Sequence, residues 1–205
     1  MGNDPPAAKV EADTLQIPGF RDDLDCADFA SYAAGGRPIE TLTSTTHQVT
    51  ESMINSFTRR ILRLREAVPP PPSSALDGSM QPGSCWPMAG PAGHIGIQLA
   101  DSVLVTDVTI DLPYSEAHDA DVAPRFVQVW AVVPTEDDAT GASPGEDPAP
   151  LPDIAPTDYR LRRQTFPVRR DIPMKVDKVV FQVLDNWGSS EYTCLYGLRV
   201  HGGRG

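Results

Sequence analysis

The 205-residue chain is poor in cysteine, in aromatic residues and in positive charge. It has three cysteines, 7% of its residues are aromatic, and 17 Lys and Arg face 28 Asp and Glu, for a formal net charge of -11. This acidic balance argues against nucleic acid or an anionic membrane as a partner. No apolar run approaches the roughly 20 residues of a membrane span, and the N-terminus lacks the basic and apolar regions of a signal peptide.

Motifs of the common catalytic sites are also missing. The sequence contains no G-x-S-x-G, no H-E-x-x-H, no P-loop and no dinucleotide-binding fingerprint. Its four histidines stand in unrelated contexts, and an isolated histidine is more often a surface or core residue than a catalytic base. The sequence therefore predicts a protein that is not an enzyme.

Alternating apolar residues dominate the chain from Ile95 onward. Six stretches show a period of two or are rich in β-branched and aromatic residues: HIGIQLA, VLVTDVTIDL, FVQVWAVV, YRLRRQTF, KVVFQVLD and YGLRVHG. They are joined by loops without intervening helices. This order predicts an all-β fold, an antiparallel β-sandwich.

Two short helices are predicted ahead of these strands. The first covers 22–34, where apolar residues share one face and a Gly-Gly pair follows as a stop signal. The second covers 49–66, an arginine-rich amphipathic segment that a run of prolines ends. This second helix could contact a membrane or a partner, and we expect it to pack on the sandwich as a lid.

The remaining segments set the boundaries of the domain. Residues 1–22 are predicted to be a linker or lead-in segment, and residues 23–203 to form one domain. Within it, residues 134–158 carry seven acidic residues and six prolines, a composition that favours a mobile surface loop.

Cys85 and Cys194 stand in similar settings, because each lies beside aromatic residues and ahead of a strand-like run. Two interpretations remain open from the residues alone: small buried hydrophobes, or a disulfide. Spacing does not decide between them, since there is no C-x-x-C and the number of cysteines is odd.

Four stretches resemble, in order, the characteristic motifs of SUN domains. GSCWPMAGPAGHIGIQLA (83–100) resembles the G-x-C-W-x-x-x-G-x-x-G core, and NWGSSEYTCLYGLRVHG (186–202) resembles the closing N-W-G-x-x-E-Y-T-C-x-Y-x-x-R-V-H-G. DFASYAAGG (28–36) and VAPRFVQVW (122–130) are similar to the opening and middle motifs. The resemblance covers residues 28 to 203.

The resemblance implies a jelly-roll or galactose-binding-like sandwich in the perinuclear space, carried by a protein of the inner nuclear membrane. Such domains bind the C-terminal tails of KASH proteins from the outer membrane and so form the LINC bridge. The proteins are homotrimers assembled through a preceding coiled coil. Neither that coiled coil nor the membrane anchor is recognisable in this chain, for which we expect a monomer or a weak trimer.

Site residues are implied in the same way. Cys85 and Cys194 match the cysteines of the family's disulfide. A loop beside it binds a monovalent cation, typically potassium, through backbone carbonyls, which assigns Ser74, Asp77, Ser79, Ser84 and Tyr196. The peptide site is assigned to Tyr192, Tyr196, Leu112, Val122 and Gly93. Leu112 and Val122 replace a His and a Ser that are common in the family, which predicts a less polar pocket.

Two other functions remain open. One is a carbohydrate-binding sandwich, which an exposed aromatic platform would favour. The other is a SUN-like domain that lacks KASH binding and serves as an assembly element. Cys26 is expected to be an unpaired thiol.

Overall fold

The computed structural model describes residues 27–48, 68–112, 120–132, 148–153, 157–158, 160–168 and 175–204. The predicted lid helix over 49–66 and the lead-in over 1–22 lie outside these ranges. One 3-10 helix, Pro72–Leu76, precedes the second strand. The described strands are β1 (Arg37–Thr43), β2 (Trp86–Ala89), β3 (Gly93–Asp111), β4 (Pro124–Val132), β5 (Pro148–Asp153), β6 (Arg163–Pro167), β7 (Val176–Asn186), β8 (Tyr192–Leu195) and β9 (Gly197–Gly203).

The long strand β3 belongs to two sheets. Its first half pairs with β1 and β7, and β4 and β5 continue that sheet in the order β1-β3-β7-β4-β5. Its second half pairs with β6 on one side and β9 on the other. The register with β7 shifts between Gln98 and Val103, where β3 passes from one sheet to the other. All these pairings are antiparallel, so the predicted all-β antiparallel sandwich is confirmed.

The main core fills the space between the two sheets. Alternate residues of β3, β4, β7 and β9 are buried there, because side chains point to opposite faces along a strand. The largest fully buried side chains are Trp86, Phe181, Met88, Ile95, Ile97, Ile110, Leu112, Leu195 and Leu198. The indole Nε1 of Trp86 donates a hydrogen bond to Thr46 Oγ1 over 2.9 Å.

The helix predicted over 22–34 is wrong in its described part. In residues 27–34, Asp28 forms an isolated bridge to His201 of β9, and turns follow from Ser31 onward. The Asp28 carboxylate accepts hydrogen bonds from the N–H groups of Ala30 and Val200, and Phe29 N donates to Val200 O. Tertiary partners therefore take the backbone groups that a helix would have used. Burial raises the pKa of the Asp28 carboxyl, although these N–H groups oppose the effect.

The acidic, proline-rich segment 134–158 is not all loop, because β5 lies within it and pairs with the edge of β4. Prolines occupy every second position of this strand, at 148, 150 and 152. In an edge strand, alternate N–H groups point away from the neighbour, so a residue without an N–H is tolerated there. The composition of residues 134–158 predicted a mobile loop, but composition does not register that the prolines alternate along β5.

Ion pairs cover the outer face of the smaller sheet. Asp111 lies with its side chain 1% exposed between two arginines, 2.7 Å from Arg163 Nε and 2.6 Å from Arg199 Nε. Two residues earlier, Thr109 Oγ1 contacts Thr165 Oγ1 and His201 Nε2 at 2.8 and 3.0 Å. The face opposite the core is therefore polar, and its central acid is buried.

Candidate functional site

A small apolar cluster lies apart from the main core, around a disulfide. The bond joins Cys85, which directly precedes β2, to Cys194 in β8, with the two Cα atoms 5.5 Å apart. This is the pairing that the resemblance implies. We call the group the cystine cluster; its members are Cys85, Cys194, Tyr196, Met80, Val122 and Tyr192. Met80, Val122 and Tyr192 are only partly buried, so the cluster presents an apolar surface to solvent.

A short ladder supports one side of this cluster. β2 pairs with β8, and residues 45–47 run along the other edge of β2. There, Ala89 N donates to Thr45 O over 2.9 Å and His47 N donates to Pro87 O over 2.7 Å. Residues 45–47 come shortly before the predicted lid segment in the chain. Residues 45–47 are thus connected through β2 to β8, the strand that contains Tyr192.

Tyr192 is held by two different contacts. Its ring is stacked with the imidazole of His47, with ring centroids 5.0 Å apart and planes inclined by 26°. Its carbonyl accepts a hydrogen bond from Asn186 Nδ2, which also donates to Ser189 O and Thr193 Oγ1. Neither His47 nor Asn186 is among the site residues predicted from the sequence. Asn186 opens the quoted N-W-G motif, which was the available signal; nothing in the sequence pointed to His47.

Arg125, at the start of β4, carries an uncommon environment. Its guanidinium carbon lies 4.9 Å from the centroid of the Phe126 ring and 5.0 Å from that of Trp187. Its Nε atom is buried and has no hydrogen-bond partner. Arg125 belongs to the VAPRFVQVW motif but is not among the site residues predicted from the sequence.

The predicted peptide-site residues do not all lie together. Tyr192, Tyr196 and Val122 meet in the cystine cluster. Leu112 lies in the main core and is 1% exposed. Gly93 begins β3, where a Cβ atom would come within 2.7 Å of Met88 Sδ, so a larger residue cannot fit without a shift.

Four of the five predicted cation-binding residues lie within the 3-10 helix or between it and Cys85, and the fifth, Tyr196, belongs to the cystine cluster. Ser84 Oγ lies 3.0 Å from Ser79 O and 2.7 Å from the Gln81 carbonyl, which brings three oxygens together. At the other end of the loop, Ser74 O accepts a hydrogen bond from Asp77 N over 3.3 Å. Backbone carbonyls and hydroxyls are suitable ligands for a monovalent cation, so this donor set fits the implied ion.

Two features are absent from the described residues. No helix there is long and apolar enough to cross a membrane. Likewise, no group of three or more His, Cys, Asp and Glu side chains in the described ranges could hold a metal ion.

Comparison with protein families and curated proteins gives a consistent result. Residues 67–204, more than half of the chain, match the family model described as Sad1 / UNC-like C-terminal. SUN domain-containing protein 3 of Mus musculus is 30% identical over 184 residues, which are 88% of this chain and 54% of that protein. Sperm-associated antigen 4 protein of Mus musculus is 34% identical over 137 residues, 65% of this chain and 29% of its own length. The chain thus spans about half or less of these relatives.

Solved structures resemble the fold at low sequence identity. A family 32 carbohydrate-binding module from Streptococcus pneumoniae EndoD has a TM-score of 0.56 at 10% identity and covers 86% of this chain and all of its own. A putative chitobiase fragment from Bacteroides thetaiotaomicron has a TM-score of 0.56 at 12% identity, covering 92% of this chain and 96% of its own. At such identities the likeness concerns the β-sandwich alone.

Proposed function

Because the chain belongs to the Sad1/UNC-like family of SUN domains, we propose that it is a binding domain for the C-terminal tails of KASH-type proteins. In this proposal the domain lies in the perinuclear space and belongs to an inner nuclear membrane protein. It forms one half of a LINC bridge, has no enzymatic activity and acts as a homotrimer within the longer protein.

The cystine cluster is the observation that carries the proposal. It is a second apolar group outside the core, fixed by a disulfide and by a ladder of strands, and it leaves Val122 and Tyr192 partly exposed. A rigid, partly exposed apolar surface beside a strand ladder suits an extended peptide, since main-chain hydrogen bonds supply affinity and side-chain pockets supply specificity.

The composition of the cluster makes the pocket selective. Val122 has no side-chain hydrogen-bond donor, whereas the phenol of Tyr196 has one. Within the cluster itself, Tyr196 and backbone N–H groups are the donors that a peptide carboxylate can use. A hydrogen bond to a charged group contributes about 1.5 to 3 kcal/mol, so the missing hydroxyl at position 122 is expected to weaken the binding of tails suited to a serine.

Restoring that hydroxyl is expected to tighten binding. Val122→Ser should raise the affinity for a synthetic KASH-type tail peptide about tenfold or more, because the added O–H donates to the carboxylate. Tyr196→Phe should lower the affinity by a similar factor. Isothermal titration calorimetry measures both effects.

Val180→Ser is the matched control, because Val180 is also a half-buried valine but lies on β7, outside the cystine cluster. It should leave the affinity unchanged. If Val122→Ser has no effect and Tyr192 and Tyr196 can both be replaced without loss, the peptide does not bind at this cluster.

We also propose that the loop from Ser74 to Ser84 holds a monovalent cation, potassium in the first instance, with Tyr196 contributing its carbonyl. The proposal is supported by the oxygen atoms that converge near Ser84. The ion would restrain the conformation of this loop next to the disulfide.

Potassium is accordingly expected to stabilise the protein. An ion at 100 times its dissociation constant adds about 2.7 kcal/mol to the free energy of unfolding, so Tm should be several degrees higher in KCl than in choline chloride at equal ionic strength. Ser84→Ala should reduce this difference, and Ser102→Ala, an exposed serine on β3, should preserve it. Equal Tm values in the two salts would exclude the site.

A further inference from the structure

Arg125 is a positive charge that the described protein leaves without an anionic partner. Its guanidinium lies against the aromatic rings of Phe126 and Trp187, whereas its backbone carbonyl accepts hydrogen bonds from Thr157. No ion pair is formed with it there, and its buried Nε has no acceptor. By contrast, Arg160, Arg163, Arg199 and Arg204 each pair with an aspartate.

This environment is unfavourable as it stands. Attraction to the faces of aromatic rings offsets part of the desolvation of a guanidinium, but a buried N–H without an acceptor remains costly. The rings also restrict the orientation of the guanidinium, whose planar fork of N–H donors matches the two oxygens of a carboxylate. An incoming carboxylate would therefore find a donor that is already oriented and incompletely hydrated.

Arg125 is the second residue of β4 and closely follows Val122 in the chain. Three residues separate them in sequence, and hydrogen bonds fix this stretch to the strands of the cystine cluster. Cys194 N donates to Val122 O over 2.8 Å, and Trp187 N donates to the carbonyl of residue 123 over 3.1 Å. Because only three residues separate Arg125 from Val122, their Cα atoms are at most about 11 Å apart, so a peptide bound at Val122 can extend to the arginine.

We infer that Arg125 is a carboxylate-binding residue that receives an acidic group of the bound peptide. The inference rests on the proposed function, because it assigns to the same peptide site a charge contact that neither Val122 nor Tyr196 can make. The acidic group is either the C-terminal carboxylate of the peptide or an Asp or Glu side chain near it.

The carboxylate site is tested first without any peptide. In 15N-labelled protein, acetate should shift the Nε–Hε resonance of Arg125 in a saturable way and more than that of Arg204, which already pairs with Asp101. If the two resonances respond equally, Arg125 is not a carboxylate site and the inference is overturned, whatever the peptide does.

The second test uses the tail peptide as a free acid, as its C-terminal amide, and with its acidic side chains replaced by amides. The parent protein should bind the free acid about tenfold or more tightly than one of the two neutralised peptides. Arg125→Met should remove that preference while binding the neutralised peptide as well as the parent does. Arg125→Lys should retain part of the preference, and Arg204→Met should retain all of it.

The outcomes separate this inference from the proposed function. If acetate shifts Arg125 but no peptide binds, the carboxylate site is supported and the proposed function fails. If the peptide binds and Arg125→Met weakens every form equally, the residue is structural and the inference is overturned. If Arg125→Met instead abolishes self-association in light scattering without peptide, the carboxylate comes from a second copy, and assignment to the peptide is overturned.

Discussion

The Asp111→Asn variant is expected to lose about 1.5 to 3 kcal/mol of the free energy of unfolding at pH 7. The Asp111 carboxylate is 1% exposed and receives Arg163 Nε and Arg199 Nε on its two oxygens. The Asn side chain has the same shape but only one oxygen. Its N–H₂ group would face the N–H groups of one arginine, and two donors cannot form a hydrogen bond. The substitution also removes the negative charge that the two arginines share, and Arg199 keeps Asp28 at 3.8 Å. Urea unfolding followed by tryptophan fluorescence measures the loss.

Asp107→Asn is the matched control for this effect. Asp107 lies on the same strand and the same face of the sheet, is half-buried, and has no ion pair in the part of the chain that the structure describes. Its substitution should change the free energy of unfolding by less than about 0.5 kcal/mol. Equal losses in the two variants would mean that the arginine pairs contribute nothing beyond ordinary surface polarity.

Periodicity predicted the faces of the strands but not what covers them. In VTIDL the alternation correctly places Val108 and Ile110 toward the core and Asp111 on the opposite face. That face would be expected to meet solvent. The side chains of Arg163 and Arg199 come from strands that follow 52 and 88 residues later, and they bury the acid. Local pattern contains no information on such distant partners.

The errors near the N-terminus and in the acidic segment have the same origin. Residues 27–34 have the composition of a short helix, yet Asp28 and Phe29 bond to Val200 across the domain. Residues 148–153 have the composition of a loop, yet β4 offers an open edge with which they pair. In both places, hydrogen bonds to a distant strand override the local conformational preference of the segment. The sequence of the segment alone does not predict that strand.

The part of the candidate site around the disulfide was predicted better than the rest, because both cysteines lie in recognisable motifs. The resemblance implied the cystine and the tyrosines around it, and these residues do meet in one cluster. Matching by alignment transferred Leu112 to the pocket, but its neighbours in space are core residues. His47 and Arg125 were missed because each contacts an aromatic ring that is distant in sequence. His47 stacks on Tyr192, and Arg125 lies near Trp187.

The cystine joins two parts of the chain that are 109 residues apart, and breaking it should have two separate consequences. In the chain-entropy account, a closed loop of about 110 residues restricts the unfolded state by about 4 to 5 kcal/mol. The folded state is affected locally, because Met80, Val122 and Tyr192 pack against the cluster that contains the two cysteines and not against the main core. Loss of the bond should therefore lower global stability and loosen the peptide surface in particular.

The double variant Cys85→Ser/Cys194→Ser is expected to unfold at a urea concentration lower by the equivalent of about 4 kcal/mol. It should keep the far-ultraviolet circular dichroism of the sandwich in buffer, since the main core does not include either cysteine. Its affinity for the tail peptide should fall further than that of any single tyrosine variant. Cys26→Ser is the control, because Cys85 and Cys194 form the disulfide and Cys26 is the third cysteine of the chain. It should match the parent in both measurements, and adding reductant should lower the stability of the parent but not of the double variant. A double variant as stable as the parent would show that the long loop between the cysteines is already restricted in the unfolded state.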